Sequence, residues 1–422
     1  MEIKSLRSNA LGFSRNASTS AVRISVYGHE KLWAMQTYMK CLCVWANECL
    51  PMNDPVKSEA DLNFNKILNG ALRVLFKDAV KVALTSPLQS VFFLKTLRWQ
   101  KKAEKTRLRW ESQGLHVPPV LVISVTSKCN LHCEGCYHQA LRNPTETEMS
   151  DERIDRLVEE AKELGISFIV LAGGEPLMRP NILDLSKKTP EIMFMMFTNG
   201  LLINNSVLEQ IVKNRNLVPL LSLEGYQIDT DGRRGSGVYS LLWKTIPKLK
   251  DKGVFWGTSL TMTRSNFEEV TNEVFIKQLA DSGCKLFMLV EYTPVTAETE
   301  NWVLTEEQKS RVISIRNSFR SKFPALFIAL PWDEEEIGGC LSAGRGFVHI
   351  SAEGNVEPCP FVAYSDTNLK NIPLKEALQS KMLKTIRENH GELKEIKGCA
   401  LWEKREWVKS LAKPDTASDS DE

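Results

Sequence analysis

Apolar residues follow two alternating patterns between residues 118 and 300. Short, often β-branched apolar runs are typical of buried strands. Longer stretches between them repeat an apolar residue every three or four positions, which is typical of helices packed on one face. The six predicted strands cover residues 120–125, 167–172, 192–197, 218–223, 254–261 and 285–290. Strands that alternate with helices predict a parallel sheet that curls into an open or closed barrel.

The helix after the first strand illustrates the pattern. Ser150 is a suitable N-cap, and the apolar residues from Ile154 to Leu164 share one face. Gly165 then supplies the left-handed residue at which many helices end. A similar pattern predicts a helix over residues 265–282.

The region before residue 118 has a different composition. Residues 1–30 are rich in Ser and Asn and are expected to be poorly ordered, whereas residues 31–117 are predicted to be helical. Residues 95–109 carry seven cations, one acidic residue and a tryptophan. We expect this basic helix to be a solvated face packed on the next domain. The alternative is a peripheral contact with an anionic membrane.

Composition excludes several classes of protein. With 422 residues, 43% of them apolar, and a net charge of +2, the chain is expected to form two or three globular domains and not to bind nucleic acid. Ten cysteines in so long a chain indicate metal ligands and core thiols, which favours a reducing, cytoplasmic environment. No secretory signal or membrane-spanning helix is expected.

Three cysteines lie close together after the first predicted strand. Cys129, Cys133 and Cys136 have the spacing C-x3-C-x2-C, which can ligate three irons of an iron–sulfur cube and leave the fourth without a protein ligand. Zinc is the competing metal, with His132 or His138 as a further ligand, and the spacing does not decide between them. Four other cysteines are interpreted as core thiols, namely Cys41, Cys43, Cys49 and Cys284.

Polar residues and glycines follow the carboxyl ends of the other strands. Barrels of this type gather their functional loops at that end. The segments are Gly173-Gly174-Glu175-Pro176 after strand two, Thr198-Asn199-Gly200 after strand three, Glu224-Gly225 with the later Arg233-Arg234-Gly235 after strand four, and Glu291-Tyr292-Thr293-Pro294 after strand six. Their concentration at one end of the sheet predicts a functional site there.

These features together resemble the radical S-adenosylmethionine (radical SAM) superfamily. The resemblance rests on the loop Cys129–Cys133–Cys136, on Tyr137 after it and on the Gly-Gly-Glu-Pro segment one βα unit later. It covers roughly residues 118–402 and implies an α/β fold with a partial (β/α)6 barrel of the TIM type. The implied cofactors are a SAM-binding [4Fe–4S] cluster and SAM.

The resemblance also implies roles for the residues at the strand ends. The backbone of segment 173–176 is expected to meet the amino group of SAM, and its glycines permit a close approach. Ser222 and Glu224 are candidates for the ribose hydroxyls, although many members carry Asp at the position of Glu224. Arg234 is a candidate partner of the methionine carboxylate, with a surface turn as the alternative. Asn199 is expected to face the cofactor or to form the turn.

A second set of cysteines lies near the C-terminus. The run from Cys340 through Gly354 to Cys359 resembles the auxiliary-cluster extension called SPASM, or its shorter form, twitch. Residues 347–350 and 355–357 predict a hairpin that brings those two cysteines together. Only Cys399 follows, so the resemblance implies at most one further cluster with an unknown fourth ligand. A structural zinc site and free thiols are the alternatives.

The implied order of domains is a poorly ordered N-terminus over 1–30, a helical region over 31–117, a radical SAM core over 118–300, a twitch-like domain over 301–410 and an acidic disordered tail over 411–422. The implied activity is reductive cleavage of SAM to a 5′-deoxyadenosyl radical that abstracts hydrogen from a substrate.

The substrate classes left open are peptide, tetrapyrrole, carbohydrate and lipid, and the basic N-terminal region favours an apolar or membrane-associated one. An electron donor such as ferredoxin or flavodoxin is implied. The sequence assigns no catalytic side chain. The alternative function is an iron–sulfur or zinc protein that binds or carries electrons and never cleaves SAM.

Overall fold

The structure is a computed structural model that describes residues 87–141, 147–394 and 398–412, together with Asp78 and Val82. The predictions for the N-terminal 77 residues, including Cys41, Cys43 and Cys49, lie outside the described residues. So does the predicted acidic tail, apart from its first two residues.

Nine strands form one sheet in which every neighbour pair but one is parallel. The strands are β1 Val120–Thr126, β2 Phe168–Gly173, β3 Met193–Thr198, β4 Leu217–Leu223, β5 Trp256–Met262, β6 Cys284–Glu291, β7 Leu326–Leu330, β8 Phe347–Ile350 and β9 Val356–Glu357. Their order is β7-β6-β5-β4-β3-β2-β1-β8-β9. Parallel strands that follow one another in chain order make an open, partial barrel, so the predicted fold is confirmed.

All six predicted strands are present, and their ends lie within two residues of the predicted ones. The pattern does not predict β7, a five-residue strand in which only alternate residues are buried. Both β7 and β8 lie beyond residue 300, and β8 pairs with β1. The sheet therefore continues beyond residue 300, where the sequence predicts the boundary between the core and the C-terminal domain. The division into these two domains stays a prediction.

Helices follow most of the strands. They are α1 Pro87–Ser112, α2 Tyr137–Leu141, α3 Asp151–Leu164, α4 Ile182–Lys188, α5 Asn205–Lys213, α6 Gln227–Arg234, α7 Val238–Asp251, α8 Phe267–Val270, α9 Glu273–Asp281, α10 Glu306–Lys322, α11 Trp332–Glu336, α12 Leu374–Ala377, α13 Lys381–Glu388, α14 His390–Lys394, α15 Ala400–Glu403 and α16 Arg405–Leu411. Ser150 caps α3 through the N–H of Arg153, and Gly165 ends it with a φ of 88°.

The predicted helix over residues 265–282 is two helices, α8 and α9. Asn272 adopts an extended conformation between them, and its side chain accepts a hydrogen bond from the N–H of Val274. An Asn that caps a new helix in this way interrupts the old one, because its backbone cannot remain helical.

The two faces of the sheet differ in what covers them. One face packs against the helices and forms the main core. On the other face, which we call the inner apolar face, the side chains of Met193, Met195, Phe197, Val218, Leu220, Leu286, Met288, Val290, Leu326, Ile328 and Leu330 form a separate cluster with Val82 and Phe255. Successive residues of a strand point to opposite faces, so Ser222 and Glu224 continue the inner side of β4 toward its carboxyl end.

The predicted hairpin is β8 and β9, and it extends the barrel sheet at the β1 edge. A buried hydrogen-bond chain reinforces this junction. Ser124 on β1 lies 2.8 Å from His349 Nε2, and His349 Nδ1 lies 2.7 Å from Glu357 Oε2. All three residues are buried, and buried polar groups that are satisfied in this way specify one register between neighbouring strands.

The basic helix α1 packs against the barrel along one side. Arg107 donates a 2.6 Å hydrogen bond to the carbonyl of Gly165, and Gln100 donates one to the carbonyl of Ser167. The ammonium of Lys375 lies 4.2 Å from the ring centre of Trp110. Among the described residues, no helix combines the length and the apolar character that crossing a membrane requires.

Candidate active site

The first cysteine set lies on the loop between β1 and α2. Cys129, Cys133 and Cys136 are all free thiols and partly buried. Burial raises the pKa of Cys129 and Cys133, and the charge of the neighbouring thiols raises it further. Burying thiolates without a metal is unfavourable, so this loop suits a cationic metal cluster that offsets the cost.

A single metal ion and a cubane place different demands on these ligands. In the part of the chain that the structure describes, no three His, Cys, Asp or Glu side chains already surround the position of a single ion. A structural zinc site closes with a fourth side chain, whereas each thiolate of a cubane binds a different iron and one iron can stay open. Three partly buried thiols on one short loop supply the three ligands of such a cubane.

The cysteine loop is fastened to the ends of other strands. The N–H of Glu134 donates to the carbonyl of Arg233 at 2.9 Å, and Arg233 Nε donates back to the carbonyl of Glu134 at 3.2 Å. The hydroxyl of Tyr292, which follows β6, donates to the carbonyl of Gly135 at 3.3 Å. The loop conformation is thus set by residues far away in the sequence.

Glu148 holds the beginning of the same loop. Its carboxylate accepts hydrogen bonds from the hydroxyl of Thr126 and from both the backbone N–H and the hydroxyl of Ser127, at 2.8–2.9 Å. Burial opposes ionisation of Glu148, but these bonds outweigh it and lower the pKa of the carboxyl group. The sequence gives no signal for Glu148, because it lies in a loop without a recognisable motif.

The Gly-Gly-Glu-Pro segment lies directly against the backbone of the cysteine loop. The N–H groups of Gly174 and Glu175 donate to the carbonyls of Thr126 and Lys128, both at 2.8 Å. A Cβ on Gly174 would lie 2.1 Å from the carbonyl oxygen of Lys128. The backbone of the cysteine loop therefore leaves no room for a side chain at Gly174, apart from the close approach to SAM that the family resemblance implies.

Glu175 joins the ends of β2 and β3. Its carboxylate accepts hydrogen bonds from the hydroxyl of Thr198 and the N–H of Asn199, both at 2.7 Å, and from the N–H of Leu177 at 3.1 Å. The last bond caps a short 3-10 turn, Pro176–Met178. Burial raises the pKa of Glu175, and the hydrogen bonds oppose that shift. Glu175 therefore supports the site by fixing the ends of β2 and β3 relative to each other.

Asn199 serves both the turn and the cysteine loop. Its side-chain oxygen accepts a hydrogen bond from the N–H of Leu201, which forms the turn. Its amide nitrogen donates to the side-chain oxygen of Asn130 at 2.8 Å, next to Cys129. In the structure Asn199 therefore orients the neighbour of a candidate metal ligand.

The buried Glu224 and two partly buried arginines form an ion cluster beside Cys133. The Glu224 Oε1 atom accepts hydrogen bonds from Arg233 at 2.7 Å and from Arg234 at 2.9 and 2.5 Å. Arg234 Nη1 also lies 4.0 Å from Cys133 Sγ. Two residues with separate predicted roles, Glu224 and Arg234, are thus each other's partner, and the arginines are not an isolated surface turn.

The second oxygen of this carboxylate has an unmet hydrogen-bonding capacity. Among the described residues, Glu224 Oε2 is buried and has no hydrogen-bond partner, and the side chain is 1% exposed. A buried acceptor of this kind is costly unless a donor reaches it. Ser222 lies two residues earlier on the same face of β4 and is partly exposed.

The three cysteines of the second set lie within electrostatic range of one another. Cys359 and Cys399 interact electrostatically with Cys340, and burial raises the pKa of all three thiols, for Cys340 to about 11. The charge of Glu334 acts on each of them. Burial raises the pKa of Glu334 itself to about 7. Cys284 is fully buried in the main core, as predicted for a core thiol, and Cys359 lies in the same core.

The carboxyl end of β6 lies near both cysteine sets. Tyr292 contacts the first loop at Gly135, as described above. A Cβ on Gly398, the neighbour of Cys399, would lie 3.5 Å from Glu291 Oε2. Two adjacent residues at the end of β6, Glu291 and Tyr292, thus lie close to a neighbour of each cysteine set. The sequence signal for Tyr292 is its position after a buried strand.

Comparison with known proteins agrees with this geometry. The sequence profile of the radical SAM superfamily matches residues 123–274, the region from β1 to α9. The chain contains a radical SAM domain. It is a radical SAM enzyme, and the cofactors of this family are a [4Fe–4S] cluster and SAM.

Curated radical SAM relatives resemble the chain over much of its length. It is 23% identical over 316 residues to the AdoMet-dependent heme synthase of Methanosarcina barkeri, which covers 68% of this chain and 89% of the relative. It is 24% identical over 274 residues to the sporulation killing factor maturation protein SkfB of Bacillus subtilis, covering 63% of this chain and 64% of SkfB.

Among solved structures, Streptococcus suis SuiB bound to S-adenosylmethionine matches with a TM-score of 0.55 and 19% identity, covering 67% of this chain and 71% of SuiB. At this identity the likeness establishes the fold.

Proposed function

We propose that this enzyme reductively cleaves SAM at a cluster held by Cys129, Cys133 and Cys136 and uses the product to oxidise an apolar substrate. When bound, the cluster and SAM supply a 5′-deoxyadenosyl radical that removes a hydrogen atom from the substrate. The observation that carries the proposal is the arrangement of three thiols on one loop at the carboxyl end of β1, facing polar groups from β2, β3, β4 and β6.

The backbone of segment 173–176 is proposed to bind the amino group of SAM through carbonyl oxygens. The N–H groups of Gly174 and Glu175 are already bonded to Thr126 and Lys128. An ammonium group is only a donor, so carbonyl oxygens are the appropriate partners. Glu175 and Asn199 keep this segment and the cysteine loop at a fixed separation.

The ribose hydroxyls are proposed to meet Glu224 Oε2 and Ser222. A hydroxyl donor at the buried Oε2 atom would satisfy the acceptor that has no partner among the described residues. Arg234 stays a proposed partner of the methionine carboxylate. Three of its five N–H groups bond to Glu224 or face Cys133, and a guanidinium has five to offer.

The substrate is proposed to be a tetrapyrrole. The inner apolar face is rich in methionine and only partly buried at Met193, Met195 and Phe197. Such a surface suits a large, flat apolar ligand better than a carbohydrate. Relatives named AdoMet-dependent heme synthase, Fe-coproporphyrin III synthase and pre-heme d1 synthase support this choice.

A peptide is the second candidate substrate. It is favoured by the relative SkfB, which is named for maturation of a killing factor, and by SuiB, which has been solved bound to its precursor peptide SuiA. An apolar side chain of a peptide would use the same inner apolar face.

The second cysteine set is proposed to hold an auxiliary iron–sulfur cluster on Cys340, Cys359 and Cys399. Glu334 is the carboxylate whose charge reaches all three thiols, which makes it the candidate for a fourth ligand.

Electrons are proposed to come from a ferredoxin or flavodoxin in the cytoplasm. A peripheral membrane contact through α1 would use the exposed cations Lys95, Arg98, Lys102, Lys105 and Arg109.

The test of the activity is product analysis under anaerobic conditions. Reconstituted protein with dithionite and SAM is expected to form 5′-deoxyadenosine, and Cys133→Ala is expected to form none and to lose the iron of that cluster. An intact cluster without 5′-deoxyadenosine would favour an electron carrier. Activity and iron content that survive in Cys133→Ala would overturn the proposal.

The substrate assignment has its own test. Iron-coproporphyrin III is added to the reconstituted protein, and the change of its absorbance band measures binding. Met195→Glu places a charge on the inner apolar face and is expected to weaken binding at least tenfold, whereas Met195→Leu is expected to retain it. Equal binding by both variants would reject a tetrapyrrole on this face.

A further inference from the structure

One guanidinium of the ion cluster lies beside a candidate cluster ligand. Arg234 uses Nε and Nη2 to bond Glu224 Oε1, and this two-point attachment fixes the plane of the guanidinium. The remaining nitrogen, Nη1, lies 4.0 Å from Cys133 Sγ, at hydrogen-bonding distance for a sulfur acceptor. The carboxylate therefore directs an N–H group of Arg234 toward the sulfur.

The group formed by Glu224, Arg233 and Arg234 has a net positive charge and is poorly accessible to solvent. Two arginines bind one carboxylate, and the exposed fractions of the side chains are 14% for Arg233, 12% for Arg234 and 1% for Glu224. Water screens such a site weakly. A positive charge and an N–H donor next to a cluster thiolate favour the reduced state, which carries more negative charge, and so raise the reduction potential.

Arg233 is placed differently, although it bonds to the same carboxylate. Its Nη1 donates to Glu224, and its Nε donates to the carbonyl of Glu134 at 3.2 Å. Its guanidinium also lies 5.6 Å from the ring centre of Tyr292. Arg233 therefore anchors the loop backbone, whereas Arg234 faces the sulfur.

We infer that Arg234 is a positioning residue that sets the reduction potential of the SAM-binding cluster through its N–H group directed at Cys133, and that Glu224 holds it in place. This inference rests on the proposed function, because it requires a cluster on the three cysteines. It gives the Glu224–Arg234 pair a role before SAM binds, in addition to contacts with SAM.

The test is a redox titration of anaerobically reconstituted full-length protein without SAM, followed by electron paramagnetic resonance. The relevant signal is the one that changes when SAM is added. In Arg234→Gln, the ratio of reduced to oxidised cluster at a fixed potential is expected to fall about tenfold, equivalent to 59 mV for one electron. Arg234→Lys retains the charge, and its shift is expected to be smaller.

Arg233→Gln is the matched control, since it removes the same charge from the same carboxylate without removing the group that faces Cys133. Its shift is expected to be clearly smaller than that of Arg234→Gln. An unchanged potential in Arg234→Gln with full iron content, or equal shifts in both glutamine variants, would overturn the inference. If Arg234→Gln binds no iron, Arg234→Lys decides, because it removes the oriented guanidinium N–H and keeps the charge. A potential in Arg234→Lys that equals that of wild type would then overturn the inference. Wild-type protein without any SAM-responsive cluster would instead refute the proposed function, and the inference with it.

Discussion

The backbone N–H of Asn199 donates a 2.7 Å hydrogen bond to the carboxylate of Glu175. The bond joins the ends of two neighbouring strands, β2 and β3. Asn199 in turn bonds to Asn130, so the fixed ends of both strands reach the residue next to Cys129. The hydrogen-bonded side chains of Glu175, Asn199 and Asn130 therefore hold the cysteine loop against the ends of β2 and β3.

Replacing Glu175 with Ala is expected to lower the free energy of unfolding by about 2–4 kcal/mol, because it leaves buried donors of Thr198 and Asn199 without an acceptor. Urea unfolding measures this change. Iron content after reconstitution should fall as well, since the cysteine loop loses its support. The exposed Glu209→Ala is the control, expected within about 0.5 kcal/mol of wild type. Equal stability of both variants would contradict the supporting role of Glu175.

Gly174→Ala is expected to cost about 2 kcal/mol or more and to reduce the iron bound, because its Cβ would lie 2.1 Å from the carbonyl oxygen of Lys128. Gly232→Ala is the matched control. Nothing lies within 4 Å of a Cβ at Gly232, which is inside α6, so this change is expected to stabilise by about 0.5–1 kcal/mol. Thermal unfolding and iron analysis compare the two. A Gly174→Ala protein with normal iron would refute the close approach.

Cys359→Ala is expected to remove one of two clusters, so iron should fall from about eight to about four atoms per chain. The control is Cys284→Ala, which removes a core thiol and is expected to leave iron unchanged while it lowers stability by about 1–2 kcal/mol. Anaerobic iron and sulfide analysis measures both. Loss of zinc rather than iron in Cys359→Ala would identify a structural zinc site.

Stability should depend on the ionisation of Glu148 in the acid range. The folded-state pKa of this carboxyl is lowered, because its hydrogen bonds from Ser127 and Thr126 outweigh the effect of burial. The contribution of Glu148 to the free energy of unfolding is therefore fully present above the pKa of the unfolded state, about 4.3. It is lost as the pH falls through the lower pKa of the folded state. Solvent screening limits it to about 1 kcal/mol.

Glu148→Gln is the corresponding variant. It should be less stable than wild type at pH 7, and the difference should shrink as the pH falls below 4. Urea unfolding at several pH values measures the trend. A difference that stayed constant with pH would mean that the charge of Glu148 does not contribute.

The order of strands was predictable because it depends on local patterns. Buried runs separated by amphipathic stretches specify βα units, and short connections force consecutive strands to be neighbours. β7 escaped prediction because it is short and only alternate residues are buried. The pairing of β8 with β1 was not predictable either, because it joins residues more than two hundred positions apart.

The cysteine spacing was similarly informative, since three thiols on one short loop share a neighbourhood in any fold. What surrounds that loop was not predictable. Tyr292 and Arg233 reach it from other strands, and Glu148 reaches it from a loop without a motif. These contacts form only when the folded sheet brings segments that are distant in the sequence next to the cysteine loop.

The sequence by itself determined the barrel order, the three-thiol loop and the polar character of the strand ends, because each is written in residues close together along the chain. Only the tertiary structure decided that Glu224 binds Arg234 and that Arg234 faces Cys133. The physical reason is that a charged side chain can pair only with groups within a few ångströms. The packing of the strands and helices determines which groups those are.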